Sequence, residues 1–469
     1  MKNVLRPGIA GLACAALLLP TGCLPFGEDE PKGPTYPKAW DDRVVPYVKL
    51  AEKLRDLEFE HPVRVEFQEP KAFEKGLAAD ESDLDDEERE EIEQFTGMLR
   101  ALGLVHGEVD LFKEQDKLRQ GGTLAYYSFD DELVRVRGTR ITPAVKSTLV
   151  HELVHVLQDQ NFDAGKRSRK LADADDSSGM AYDALVEGDA RRIEAAYAEQ
   201  LGPKARRALR RDEARQAGDA EASTKGVPEV LQTMMGVPYA LGEALLAVAV
   251  LDGDDEVDKL FREPPTTEEN LLDPFTVTWD DERARKVRKP ELEKGQKEVD
   301  SNTFESTGWL FTLAARLPLP EALRATDGWG GDRYVAYTEE ERTCVKVRYV
   351  GDSERDADEL HAALLRWIDR GPAGTASVER EGDDGLLFRS CDPGTRVKGS
   401  GEHSQEALEL ALSRTYITRG LLEDGWPHKE GRCFATELVS GFTPEEIGAE
   451  TASPELTARF RRAAQRCAD

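Results

Sequence analysis

The sequence predicts an α+β protein, predominantly helical. A helical domain built round one buried helix is followed by a small β-β-α-β-β module and a disulfide-clamped helical C-terminus. Three observations predict this. The run His151-Glu152-Leu153-Val154-His155 sits inside an otherwise apolar stretch, Val145, Leu149, Val150, Leu153, Val154, Val156 and Leu157, which marks a buried helix. From Gly328 onward the helical texture gives way to short paired runs of strand-forming residues. Four cysteines, Cys344, Cys391, Cys433 and Cys467, all fall in the last third of the chain.

The 469 residues are enough for two or three domains, each with its own core. A hydrophobic share of 39% and a charged share of 33% describe a globular protein with a very polar surface. The formal net charge of −29 repels phosphate, which argues against nucleic acid as a partner. It argues equally against adhesion to anionic lipid through a basic patch.

The first residues read as a targeting segment. Lys2 and Arg6 precede an apolar core over 9–19 that is too short to span a membrane as a mature helix. Leu19-Pro20-Thr21-Gly22-Cys23 then resembles a bacterial lipoprotein signal, which implies a leader over 1–23 and lipidation at Cys23. Pro20 departs from that pattern, which prefers Leu there; an ordinary secretory signal is the alternative. Either way the protein is exported to the cell envelope. Residues 24–40, with Pro25, Pro31, Pro34 and Pro37, read as a tether to a lipid bilayer, the outer membrane in a Gram-negative cell. In an oxidising compartment the four later cysteines suggest two disulfides, with three possible connectivities. No Cys-x-x-Cys pair occurs, so a cysteine-ligated zinc is disfavoured.

Taken in order, residues 41–57 predict a helix starting near Pro46, and Val63, Val65 and Phe67 predict a strand. Residues 84–104 begin with Asp85, Asp86, Glu87 and Glu88, charges that favour a helix N-terminus. Residues 124–129 and 133–137 predict a hairpin. Thr142 and Pro143 are the cap and first residue of the metal-binding helix. Residues 163–178 read as a polar loop, and 180–200 as a helix. The stretch 202–226, dense in Arg, Ala, Asp and Glu, reads as a surface helix with the potential to be a lid. Residues 239–251 read as a core helix, 264–274 as a loop and 304–317 as a helix. In the module, 333–338 and 343–350 form one hairpin, 357–368 a helix, and 376–380 with 385–390 another hairpin. That reading puts Cys344 and Cys391 in neighbouring strands and favours their joining. Residues 404–469 are helical, with Cys433 opening one helix and Cys467 closing the chain, so a second bridge would clamp them.

On a helix, residues four apart share a face, so His151 and His155 can point at one metal ion. Glu152 stays beside the metal as a general base. The chain holds seven histidines, and coincidence is the plain alternative. A catalytic zinc takes three protein ligands and keeps one open position. Glu187 is the expected third ligand, framed by Ala184, Leu185, Val186 and Ala190; its bland reading is an exposed helix acid. Asp183 and Asp189 are the nearby alternatives. Asp189 is also a candidate acceptor for the outer N–H of a ligating histidine. Tyr182 and Tyr239 are candidate oxyanion donors by residue type alone. No downstream histidine has the short spacing of a three-histidine site, and His361 is too distant to assign.

His151 to His155 followed by Glu187 resembles the gluzincin metallopeptidases. More closely, 151–160 (HELVHVLQDQ), 185–190 (LVEGDA), Pro238-Tyr239 with Gly242, 264–274 and 328–332 look like a group of exported bacterial proteins of metallopeptidase type. That resemblance runs to about residue 395. It implies a zincin-like domain over 41–327, one zinc ion, and hydrolysis of a peptide or protein substrate by zinc-activated water with Glu152 as base. The module then spans 328–395 and the helical region 396–469. The alternatives are a non-catalytic binding or scaffold lipoprotein with a retained metal site, and a hydrolase of non-peptide amides.

Overall fold

A computed structural model describes residues 36–77, 84–172, 178–253, 255–277, 283–397, 403–447, 449 and 452–468. The leader, the lipidation site Cys23 and most of the tether lie outside the described residues. Helix makes up 59% of the described residues, so helix predominates over sheet as expected. Among the described residues no helix is long and apolar enough to cross a membrane.

The elements run α1 (Val45–Arg55), β1 (Arg64–Gln68), α2 (Pro70–Leu77), α3 (Asp86–Ala101), α4 (Leu111–Gln120), β2 (Ala125–Ser128), β3 (Leu133–Arg137) and α5 (Pro143–Phe162). Then come α6 (Ala164–Ala172), α7 (Ser178–Gln200), α8 (Pro203–Ser223), α9 (Glu229–Ala249), α10 (Asp255–Arg262) and α11 (Glu269–Leu272). The remainder is β4 (Lys297–Asn302), α12 (Glu305–Ala314), α13 (Leu319–Thr326), β5 (Trp329–Glu339), β6 (Arg342–Gly351), α14 (Glu354–Asp369), β7 (Ala376–Arg380), β8 (Gly385–Cys391), α15 (Ser404–Glu423), α16 (His428–Gly441), α17 (Pro444–Ile447) and α18 (Pro454–Arg466).

The helix α5 is the axis of the first half. The Thr142 hydroxyl accepts from the Val145 amide at 3.4 Å, Pro143 opens the first turn, and Asp163 closes the helix in the left-handed region with φ 54°. Between Ala144 and Gln158 every residue except Lys146 is buried. One side of α5, with Val145, Leu149, Leu153, Val156 and Leu157, packs on Ala125, Tyr127, Val134 and Val136 of a small sheet. Val150 and Val154 on another side pack on Ala190, Ile193 and Tyr197 of α7. That sheet has the order β1-β3-β2, with β1 parallel and β2 antiparallel to β3, so β2 is an edge strand.

Helices α7 and α9 cross at two glycines. A Cβ on Gly242 would lie 1.9 Å from the Ala184 carbonyl oxygen, and one on Gly188 would lie 2.3 Å from the Gly242 carbonyl. Only the absence of both side chains allows this approach.

The second sheet has the order β4-β5-β6-β8-β7 and is antiparallel throughout. Cys344 and Cys391 are register partners and form one disulfide; Cys433 and Cys467 form the other. Cys433 lies inside α16 rather than opening a helix. α11 is a single helical turn inside 264–274, which reads as a loop, and α6 and β4 also differ from expectation. The polar stretch after α5 contains α6, because Ala164, Gly165 and Ser168 turn inward while its charges stay out. The strand β4, at the sheet edge and exposed or half-buried throughout, shows no apolar alternation and left no signal. It adds a fifth strand from outside 328–395. α15 packs on α9, α12 and α13, so the C-terminal helices share a core with the first half.

Three acids meet between α11, α12 and β5. Asp332 accepts from the Phe304 amide (2.7 Å), the Trp309 indole (2.8 Å) and the Trp329 indole (2.7 Å). Glu268 accepts from the Thr307 hydroxyl, and Glu305 accepts from the Thr303 hydroxyl at 2.7 Å. Burial, then the Glu268 charge, holds Glu305 well above the usual carboxylate range, and burial raises Glu268 as well. A carboxyl that binds its proton more tightly when folded stabilises the fold below its unfolded pKa and loses that contribution as pH rises through the folded value. Glu305→Gln is therefore expected to raise stability at pH 7–8 by on the order of 1 kcal/mol, with the gain shrinking towards pH 4. Thermal unfolding across that range checks it; parallel pH profiles for parent and variant would refute it.

Candidate metal centre

His151 and His155 project from one face of α5 toward α7, and Glu187 of α7 meets them. The Nε2 atoms of the two histidines lie 3.0 Å apart. Glu187 Oε2 is 3.2 Å from His151 Nε2 and 3.5 Å from His155 Nε2. Tetrahedral ligands at zinc distances are roughly 3.3 Å from one another. The three donors match that spacing without adjustment. Glu187 Oε2 is buried and has no hydrogen-bond donor, a vacancy a cation would fill.

The electrostatics point the same way. Burial opposes a charged His151, yet Glu187 and Glu194 raise it to about 10. His155 is raised too, by Glu187 against burial. Burial works against a charged Glu187, but the two histidines hold it down to about 2. The carboxylates thus favour positive charge at the two imidazoles.

Glu152 is 1% exposed. Its Oε2 accepts from the Tyr127 amide of β2 at 2.7 Å, and its Oε1 is buried with no partner. The cluster is most open at Glu187 and Glu194, whose side chains are each 16% exposed.

Around the donors lies a ring of residues that the motif did not announce. His151 Nδ1 is 3.6 Å from Glu194 Oε2, and Arg191 clamps Glu194 at 2.6 Å. Burial pushes Glu194 up, but Arg191 and His151 hold it down to about 2. His155 Nδ1 is 2.9 Å from Gln158 Oε1. Asp189 reaches neither histidine directly. It is wholly buried and bonds Gln158 Nε2 (3.0 Å), Arg55 Nε (2.7 Å) and Arg192 Nη2 (3.1 Å). The reason is its place on α7: two residues past Glu187, it turns away from the ligand face toward α1. Asp183 is one turn before Glu187 and accepts from Ser168 at 2.7 Å. Burial pushes it up to about 6, against that hydrogen bond and with the Glu187 charge adding.

Of the two tyrosines, Tyr239 is at the centre, its ring 6.4 Å from that of His151 and nearly parallel to it. Tyr182 packs on Phe261 in the core instead, 6.2 Å between rings. The 202–226 stretch is one helix, α8, docked over the first turn of α5, where Asp212 accepts from the Ala144 amide at 2.9 Å. One faint sequence signal marked the outer ring: Arg55 continues the buried stripe Val48, Ala51, a charge where the helix pattern calls for an apolar residue.

A second convergence of Glu339, Cys344 and Cys391 has metal-like spacing, but both sulfurs are in a disulfide and offer no thiolate. A family model described as a domain of unknown function (DUF8575) matches residues 269–403. This covers α11 to β8 and none of the residues round His151. No curated protein and no solved structure matches the chain.

Proposed function

We propose that this chain is a zincin-like, zinc-dependent peptidase, exported and held at a membrane through Cys23. The observation that carries the reading is the convergence of His151 Nε2, His155 Nε2 and Glu187 Oε2 at zinc-ligand spacing, with Glu152 alongside. These three residues would hold one zinc ion, which when bound supplies Lewis acidity toward water and a scissile carbonyl. Glu152 is the general base. The Tyr127 amide fixes one of its oxygens and leaves Oε1 free to take a proton and later deliver it to the leaving amine.

The hairpin sets β2 beside the base. The Arg137 amide bonds the Leu124 carbonyl, so by the alternation of an antiparallel ladder Tyr126 and Ser128 bond β3. The Tyr127 amide therefore faces away from β3, and it bonds Glu152. Tyr239, beside His151, is the better placed oxyanion donor of the two tyrosines.

The test is zinc content of the full chain by elemental analysis, with digestion of an unfolded protein in the presence and absence of a chelator. About one zinc and chelator-sensitive cleavage are expected. A gently purified chain without zinc would sink the proposal. Zinc without cleavage would favour a binding lipoprotein with a retained site.

A further inference from the structure

The two histidines meet different groups at their Nδ1 sides. His151 faces a carboxylate, Glu194, whose oxygens only accept. His155 faces the side-chain amide of Gln158, which has both a donor end and an acceptor end. Which end meets the imidazole decides which ring nitrogen carries the proton.

The surroundings of Gln158 leave one answer. Its Nε2 lies 2.9 Å from the Val186 carbonyl and 3.0 Å from Asp189 Oδ2. Both of those groups accept and cannot donate, so the nitrogen must face them. The oxygen then faces His155 Nδ1 at 2.9 Å, and Nδ1 must carry the hydrogen. That leaves the lone pair of Nε2 aimed into the cluster. Gln158 and Asp189 are each 0% exposed, so no water competes for these bonds. Asp189 is itself fixed by Arg55, which is 5% exposed and bridges on to Asp258 at 2.6 Å.

We infer that Arg55, Asp189 and Gln158 form a positioning relay that fixes His155 in the Nδ1–H form and so presents Nε2 as a metal donor. The inference rests on the zinc reading above. It gives α1 a part in the centre: the N-terminal helix supplies the charge that anchors the relay. None of the three touches substrate or metal; each acts through His155.

The experiment measures zinc affinity of the full chain by competition with a chromogenic chelator, with imidazole ¹⁵N shifts of His155 reporting its tautomer. Gln158→Leu removes the acceptor while keeping the bulk and is expected to weaken zinc binding about 10- to 100-fold. Gln158→Glu keeps an acceptor at Nδ1 but turns its other oxygen toward the Val186 carbonyl and Asp189, which only accept, and is expected to keep the Nδ1–H shift pattern while weakening zinc binding. Asp189→Asn is expected to fall between the parent and the Leu variant, since the Val186 carbonyl still orients the amide. A Leu variant that binds zinc as tightly as the parent overturns the relay, as does a Glu variant that loses the Nδ1–H shift pattern. If the Leu variant does not fold, Asp189→Asn decides, and parent affinity there overturns the inference. A parent that takes up no zinc overturns the peptidase reading itself; a parent that binds zinc with indifferent variants overturns the relay alone.

Discussion

Glu152→Gln is expected to keep its zinc and lose peptide hydrolysis by about 10²- to 10⁴-fold, the usual contribution of a positioned general base. The substitution is nearly isosteric. Its amide oxygen can still accept from the Tyr127 amide, as Oε2 does at 2.7 Å, so the helix and the hairpin keep their spacing. What disappears is a basic oxygen at the Oε1 position, which is buried and has no other task. His155→Ala and Glu187→Ala form the contrast. Each removes one of three donors and is expected to empty the site, abolishing zinc and activity together. Elemental analysis and a digestion assay on the same preparations separate the two outcomes. A Glu152→Gln chain that cleaves at the parent rate would show that the base lies elsewhere.

Gly242→Ala is expected to cost about 3 kcal/mol or more, or to prevent folding. The added methyl would meet the Ala184 carbonyl at 1.9 Å, and backbone on both sides leaves no flexible atom to give way. α9 must then move off α7. Since α7 carries Glu187 and Glu194 and α9 carries Tyr239, the centre opens with it. Zinc affinity is expected to fall along with the melting temperature. Gly236→Ala, on the same helix with open space at its Cβ, is the control and is expected to be neutral or stabilising by up to about 1 kcal/mol. Equal melting temperatures for the two variants would mean that the helices do not cross this closely.

How far the sequence reached depended on the kind of signal. Local periodicity carried α1, α3, α5, α7 and α14 and both hairpins of the module, because apolar spacing and end caps are written within one turn of the chain. It missed α6 and β4, whose faces are polar apart from a few small or half-buried residues. Both exist because a neighbour makes room for them: Gly165 of α6 lies against the Phe129 side chain, and β4 pairs along β5.

The sequence by itself determined the helix that carries the candidate metal ligands. His151, Glu152 and His155 are close in the chain, so helical geometry alone puts them together, and the apolar residues between them bury the helix. It also named Glu187, Tyr239 and both cysteine pairs as candidates. Only the tertiary structure decided among them. Glu187 rather than Asp183 or Asp189 meets the histidines because α7 crosses α5 with that residue on the shared face. Tyr239 rather than Tyr182 reaches His151 because two glycines let α9 lie against α7. Gln158 and Glu194, and the partner of Arg55, became visible only when three helices came together, since a hydrogen bond between side chains 134 residues apart, as between Arg55 and Asp189, is not written in either neighbourhood.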